Sequence, residues 1–272
     1  MLQSLERRSG LPIALDPVAG TLEWPGDRLT VGRVHPRSFA EMRDFIAEPD
    51  AAPSRDPVYT VYREMIHAGD AERIRSAGLR YDITVIPPGH FAARRHEFLK
   101  TAGHYHPLKP GSEITYPEVY EVLSGRAYLL LQRPNQTHAA VIEKIYAVEA
   151  GPGEKAVIPP DFGHVSINCF REPLVMANWI ARTPEYDYQP YRTFRGGGYW
   201  LLEGQSDTIE FEANPNYSSV PELSKLRPRE VPELGLLRTT PLYMLVHNLE
   251  KLRFLSAPEE FTKLLVLRHC YR

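Results

Sequence analysis

From Val58 onward the sequence is cut into short stretches of β-forming residues, each stopped by proline, glycine, asparagine or charge. This rhythm restricts the fold more than any other feature. The stretch 58–66, Val-Tyr-Thr-Val-Tyr-Arg-Glu-Met-Ile, alternates and is rich in β-branched and aromatic residues, which suit a pleated, half-buried surface. Leu79–Ile86 is another such run, stopped by Pro87-Pro88-Gly89. Segments of the same kind cover 97–105, 119–123, 126–132, 139–148, 155–158, 165–170 and 174–180. Strands that short, joined by turns, predict an all-β sandwich or barrel and not an alternation of strand and helix. The twenty-five prolines, eighteen glycines and fifteen tyrosines fit many strands joined by tight turns.

The flanks read differently. Ser38 and Glu41 can form a capping box, and Phe39, Met42, Phe45 and Ile46 recur at helical spacing, so 37–48 is expected to be a helix. Residues 214–229 hold three prolines and little pattern, as an ordered arm or linker does. Thr240 and Pro241 then offer an N-cap and a first helical residue, with Leu242, Leu245, Leu249 and Leu252 down one face. Ser256-Ala-Pro-Glu259 opens a second short helix. The expected organisation is a β domain over 1–227 with an N-terminal helical segment, and a helical appendage over 228–272 outside the chemistry.

Bulk properties exclude some functions. A formal charge of −2 gives no drive toward nucleic acid or an anionic membrane. No apolar run approaches the roughly 20 residues of a spanning helix, and the first residues lack a secretory h-region. Cys169 and Cys270 lie far apart in the sequence, so a reduced, cytoplasmic protein is expected.

The chemistry-bearing pattern is Thr101-Ala-Gly-His104-Tyr-His106, an eleven-residue gap, and then Glu118. On a strand, residues i and i+2 share a face, so His104 and His106 project together. Pro107, Pro110, Gly111 and Pro117 make the gap a loop, after which Glu118-Val-Tyr120 re-enters a strand. His164, behind Pro159-Pro160-Asp-Phe-Gly163, can supply a fourth ligand. Three neutral nitrogens and a carboxylate suit Fe(II), Mn(II), Zn(II), Ni(II) or Co(II), with room for water or substrate oxygens. Glu113 is a rival to Glu118. His90 and His96 precede the motif and are left without a role, while His35, His67, His138, His247 and His269 read as structural or solvated.

Two cupin signatures can be laid on these residues. Glu118 and Gly125 match the end of the first, Glu-x6-Gly, and this spacing favours Glu118 over Glu113. Gly153, Pro159, His164 and Asn168 match the second. The departures are the absence of a glycine six residues before His104, Asp161 where glycine is usual, and the long 107–117 loop. Within the cupins, 56–227 resembles the archaeal-type glucose-6-phosphate isomerases, whose fold is unrelated to that of the widespread isomerase of that name. The resemblance rests on Tyr59-Thr-Val-Tyr62, Thr84-Val-Ile-Pro-Pro-Gly89, Thr101-Ala-Gly-His-Tyr-His106, Glu118-Val-Tyr120, Leu129-Leu-Leu-Gln132, Ile158-Pro-Pro160, His164, Asn168 and Asp187-Tyr188.

That resemblance implies a double-stranded β-helix (jelly-roll) barrel, a homodimer, and one divalent ion, often iron, on His104, His106, Glu118 and His164. It also implies interconversion of glucose 6-phosphate and fructose 6-phosphate through an enediol. Glu118 is then the candidate base and Tyr120 a proton relay. Thr84, Thr101, the Gly103 N–H, Tyr120 and Tyr188 would hold the phosphorylated hexose. At Tyr186 the family often carries a histidine. Arg195-Gly-Gly-Gly198 lacks the Lys-Ser/Thr of a P-loop and reads as a flexible turn. A cupin dioxygenase and a non-catalytic sugar-binding cupin are the alternative functions.

Overall fold

The computed structural model describes residues 1–182 and 185–272. Its strands pair into the layers of a β-barrel. One layer is a six-stranded antiparallel sheet in the order Lys155–Ile158, Glu118–Ser124, Leu174–Ala181, Leu79–Ile86, Tyr59–Arg63 and Arg33–Arg37. The other is built from a four-stranded sheet, Gly163–Ile167, Ala127–Pro134, Ile142–Ala150 and Ser224–Leu226, the last joining in parallel. A five-stranded sheet, Ile209–Ala213, Tyr199–Glu203, His96–Phe98, His90–Ala92 and Ala52–Pro53, continues it. The chain between Phe98 and His106 stitches these two together, since Lys100 bridges Ile167 and His104 bridges His164. Gly125 lets Glu118–Ser124 turn into Ala127–Pro134 and so pass between layers. Its φ is 73°, and a Cβ there would lie 2.6 Å from the Pro173 carbonyl oxygen. The result is the mainly β cupin barrel that the strand rhythm and the resemblance imply.

Several expectations change. The strand expected over 97–105 ends at Phe98 and continues only as isolated bridges. Gly103 breaks it with φ 77°, where a Cβ would meet Val165 Cγ2 at 2.6 Å and Tyr191 Cδ1 at 2.7 Å. The 58–66 strand divides into Tyr59–Arg63 and Ile66–His67, with Glu64 at φ 53° between them. The helix expected over 37–48 shrinks to Phe39–Met42 and a 3-10 turn, Arg43–Phe45, although the Ser38–Glu41 capping box forms. The glycines of Arg195–Gly198 are buried rather than loose. A Cβ at Gly197 would lie 2.6 Å from Leu130 Cδ2, and the Gly198 N–H donates to Gln132 Oε1 at 2.8 Å. The run is a close-packed connection, not a phosphate cradle.

The tail from residue 228 is helical, but chiefly as 3-10 turns: Leu242–His247, Leu249–Leu255 and Pro258–Phe261. Leu249, Leu252 and Leu255 recur every three residues, the 3-10 period, and Asn248 separates this run from the preceding turn. The tail packs into the same core as the barrel. Tyr243 meets Tyr81 and Trp179 at ring-centroid distances of 5.0 and 6.0 Å. Trp179 Nε1 donates to the Leu242 carbonyl at 2.9 Å, and the Leu242 N–H donates to Glu121 Oε2 at 2.6 Å. The buried Lys155 links Glu121 and the Thr240 carbonyl, both at 2.7 Å.

Candidate active site

The strand Glu118–Ser124 is buried along its whole length, so any carboxylate in it must be held by partners. Glu118 Oε1 accepts a hydrogen bond of 2.6 Å from Asn178 Nδ2 on the neighbouring strand. Glu118 Oε2 is buried without a hydrogen-bond partner and lies 3.3 Å from both His106 Nε2 and His164 Nε2. His104 Nε2 lies 3.2 Å from His106 Nε2. The structure thus brings His104, His106, Glu118 and His164 into one cluster, with a ligand atom of each within 4.8 Å of the others. Glu113, at the tip of the 107–117 hairpin, is exposed and stands outside it.

These separations fit a bound divalent ion. Ligand atoms about 2.0–2.2 Å from a metal stand roughly 3.0–3.5 Å from their neighbours in octahedral or tetrahedral arrangements. Tautomers fit too. His106 Nδ1 lies 2.7 Å from the Tyr116 carbonyl oxygen, which can only accept, so the proton sits on Nδ1 and the Nε2 lone pair faces the cluster. Burial and the charges of His164 and His106 hold His104 well below the usual imidazole range. Burial is also the main cause that pulls His164 down to about 4, against the opposing pull of Glu118. Burial alone would raise Glu118. The neighbouring His106 and His164 outweigh it, so the carboxyl lies below its usual value. His104 and His164 are therefore neutral and the glutamate ionised at neutral pH, as ligation requires.

A cavity opens over the cluster. Thr84, Thr101, Gly103, Tyr120 and Tyr188 all line it, beside His104, Glu118 and His164. The Tyr120 hydroxyl lies 3.1 Å from His164 Nε2, and burial followed by the Glu118 charge raises its pKa well above the ordinary phenol value. Thr101 Oγ1 accepts from the Ser166 N–H at 3.0 Å, which leaves its own O–H to donate elsewhere.

Sequence reasoning missed Arg37, Tyr59, Arg63, Asp82 and Asn178, which share the cavity wall. Arg37 Nε is buried without a hydrogen-bond partner. Asp82 binds Arg63 at 2.9 Å and Arg80 at 2.8 Å, and Arg80 donates to the Tyr186 hydroxyl at 2.6 Å. Tyr186 packs its ring 4.4 Å from His104. A signal for Asn178 existed: it is the only polar side chain in the eight-residue strand Leu174–Ala181. The cavity leaves about 50 Å³ free, space for a water or two.

A model of the glucose-6-phosphate isomerase family matches residues 37–217. A glucose-6-phosphate isomerase of Thermococcus gammatolerans is 28% identical over 186 residues, 67% of this chain and 86% of that protein. One from Thermococcus litoralis is 28% identical over 156 residues, 56% of this chain and 72% of its own length. Among solved structures, an oxalate oxidase superposes with a TM-score of 0.35 at 18% identity, covering 52% of this chain and 60% of that one. So loose a superposition says nothing of chemistry. The match over 37–217, more than half of the sequence, decides the family: the chain belongs to the archaeal-type, cupin glucose-6-phosphate isomerases and is an enzyme.

Proposed function

We propose that the protein interconverts glucose 6-phosphate and fructose 6-phosphate through an enediol, with one divalent ion on His104, His106, Glu118 and His164. Fe(II) is the first choice; Mn(II), Zn(II), Ni(II) and Co(II) suit the same donors. The observation that carries this reading is the convergence of three imidazole nitrogens and a carboxylate oxygen beneath a cavity lined by Thr84, Thr101, Gly103 and Arg37. The bound ion would serve as a Lewis acid on the substrate oxygens, worth several kcal/mol.

The chain's own groups supply the rest. The isomerisation moves a proton between C2 and C1 while O1 and O2 exchange carbonyl and hydroxyl character. Glu118 is assigned the carbon-bound proton, a role worth about 10²–10⁴-fold for a positioned base. Ligation weakens its basicity, so its two duties are served in turn. Asn178 holds Oε1 throughout. Tyr120 is protonated at neutral pH and adjoins the cluster, so it is assigned as a proton donor toward the sugar oxygens. Thr84, the free O–H of Thr101, the Gly103 backbone and Tyr188 are assigned to the phosphorylated hexose, with Arg37 as the cation facing the phosphate. A homodimer is proposed from the resemblance. Cys169 and Cys270 are both buried and free, which supports a reducing, cytoplasmic setting.

The test is a coupled assay on metal-reconstituted protein with fructose 6-phosphate, followed by competition with a five-carbon aldonate phosphate that mimics the enediol. The phosphorylated mimic is expected to bind more tightly than the substrate, and Thr101→Val to weaken it. No turnover, or equal inhibition by phosphorylated and unphosphorylated mimics, would overturn the assignment.

A further inference from the structure

The two histidines that the sequence leaves without a role, His90 and His96, meet a carboxylate on the opposite side of the motif. Three adjacent strands of the five-stranded sheet carry them: His90–Ala92, His96–Phe98 and Tyr199–Glu203. Glu97 pairs with Leu202, which places His96 beside Glu203. His90 pairs with Phe98 and Ala92 with His96, so His90 lies diagonal to His96. Side chains alternate between faces along a strand, and this register therefore puts all three on one face.

Their donor atoms converge. His90 Nδ1 lies 3.3 Å and His96 Nδ1 3.8 Å from Glu203 Oε2. The imidazoles stack with centroids 4.7 Å apart and planes 14° from parallel. One ligand atom of each residue lies within 4.8 Å of the others, as in the buried cluster. We propose that His90, His96 and Glu203 form a second, auxiliary site for a divalent transition-metal ion, bridging three strands. Two imidazoles and one carboxylate match the three-ligand sets that hold Zn(II), with the remaining positions left to water. A surface cleft of about 320 Å³, lined by Gly89, Phe98, Cys169 and Arg171 beside His90 and Glu203, gives those positions access to solvent. The side chains are 28%, 47% and 33% exposed, so the ion exchanges more readily than one at the buried cluster.

The rival arrangement uses the same geometry without a metal: each Nδ1–H donates to the carboxylate, or one ring is protonated and pairs with it. The two differ in stoichiometry. Full-length protein stripped with chelator and titrated calorimetrically with Zn(II) should bind two ions per chain. Glu203→Gln, close in shape to the native residue, and His96→Ala should each reduce this to one while coupled isomerase turnover stays within about two-fold. His106→Ala should remove the other ion. Should His96→Ala fail to fold, Glu203→Gln alone still decides, with its melting transition as the control. A single ion per chain, lost in His106→Ala and retained in both other variants, would overturn the site. So would two ions that persist in Glu203→Gln and His96→Ala.

Discussion

Glu118→Gln separates a ligand from a bystander, and its effect can be worked from the cluster. The amide keeps a carbonyl oxygen to accept from Asn178, so the strand and its 2.6 Å hydrogen bond are retained. At the other terminal atom the charge is lost and an NH₂ replaces the oxygen that now faces His106 and His164 at 3.3 Å. Changing groups behind the ligands of a metal site costs about 10–100-fold in affinity, so loss of a charged ligand is set here at no less than about 100-fold. At saturating metal that removes about 2.7 kcal/mol of metal-linked stability. For a chain of this size it lowers the metal-bound melting temperature by roughly 5–10 °C. Turnover should fall at least as far as a lost base implies, about 10²–10⁴-fold. Glu113→Gln, exposed on the hairpin, should change stability by no more than about 0.5 kcal/mol and leave metal binding intact. Melting with and without metal, plus the coupled assay, checks both variants. If the Glu113 variant loses the metal-dependent shift while the Glu118 variant keeps it, the ligand assignment is wrong.

Other outcomes follow from the same geometry. Asn178→Leu removes the hydrogen bond that Glu118 Oε1 accepts and should weaken metal binding about 10–100-fold, read by titration; unchanged affinity would show that the bond does not orient the ligand. Truncation after Arg227 deletes Leu242, Tyr243, Val246, Leu252, Phe254 and Leu255, each 1% exposed or less. At about 1.5–3 kcal/mol apiece this equals or exceeds the roughly 5–15 kcal/mol of a whole domain, so no cooperative melt is expected; a melt near that of the full chain would refute the tail's place in the core. His164, lowered from 6.5 to about 4 on folding, makes the unfolded chain bind more protons between those values. Metal-free protein should therefore lose on the order of 3 kcal/mol as pH falls from 6.5 to 4, a contribution fully present above 6.5. Urea titrations across that window check this, and a flat profile would contradict it.

Local signals carried much of the reading. The β rhythm, the Ser38–Glu41 capping box and the His104–His106 spacing depend on residues within a few positions of each other; His104 and Tyr105 form only isolated bridges, yet both imidazoles still meet, Nε2 to Nε2 at 3.2 Å. The Glu118–Gly125 spacing favours Glu118 over Glu113 because a glycine must sit where the chain turns between layers at φ 73°. What the sequence leaves open is whatever depends on which strands become neighbours. Asn178 lies sixty residues from Glu118 and reaches it only because Tyr120 and Asn178 are in register. Arg63 reaches Asp82 across paired strands, and Tyr186 covers His104, through contacts between separate segments of the chain. His90, His96 and Glu203 meet for the same reason. The leucine stripe of the tail reveals an apolar face but not its partner; Tyr81, Trp179, Glu121 and Lys155 on the barrel make that choice. Near-neighbour patterns fix local conformation and candidate ligands, whereas the surroundings of each ligand come from strand pairing and are set only when the barrel closes.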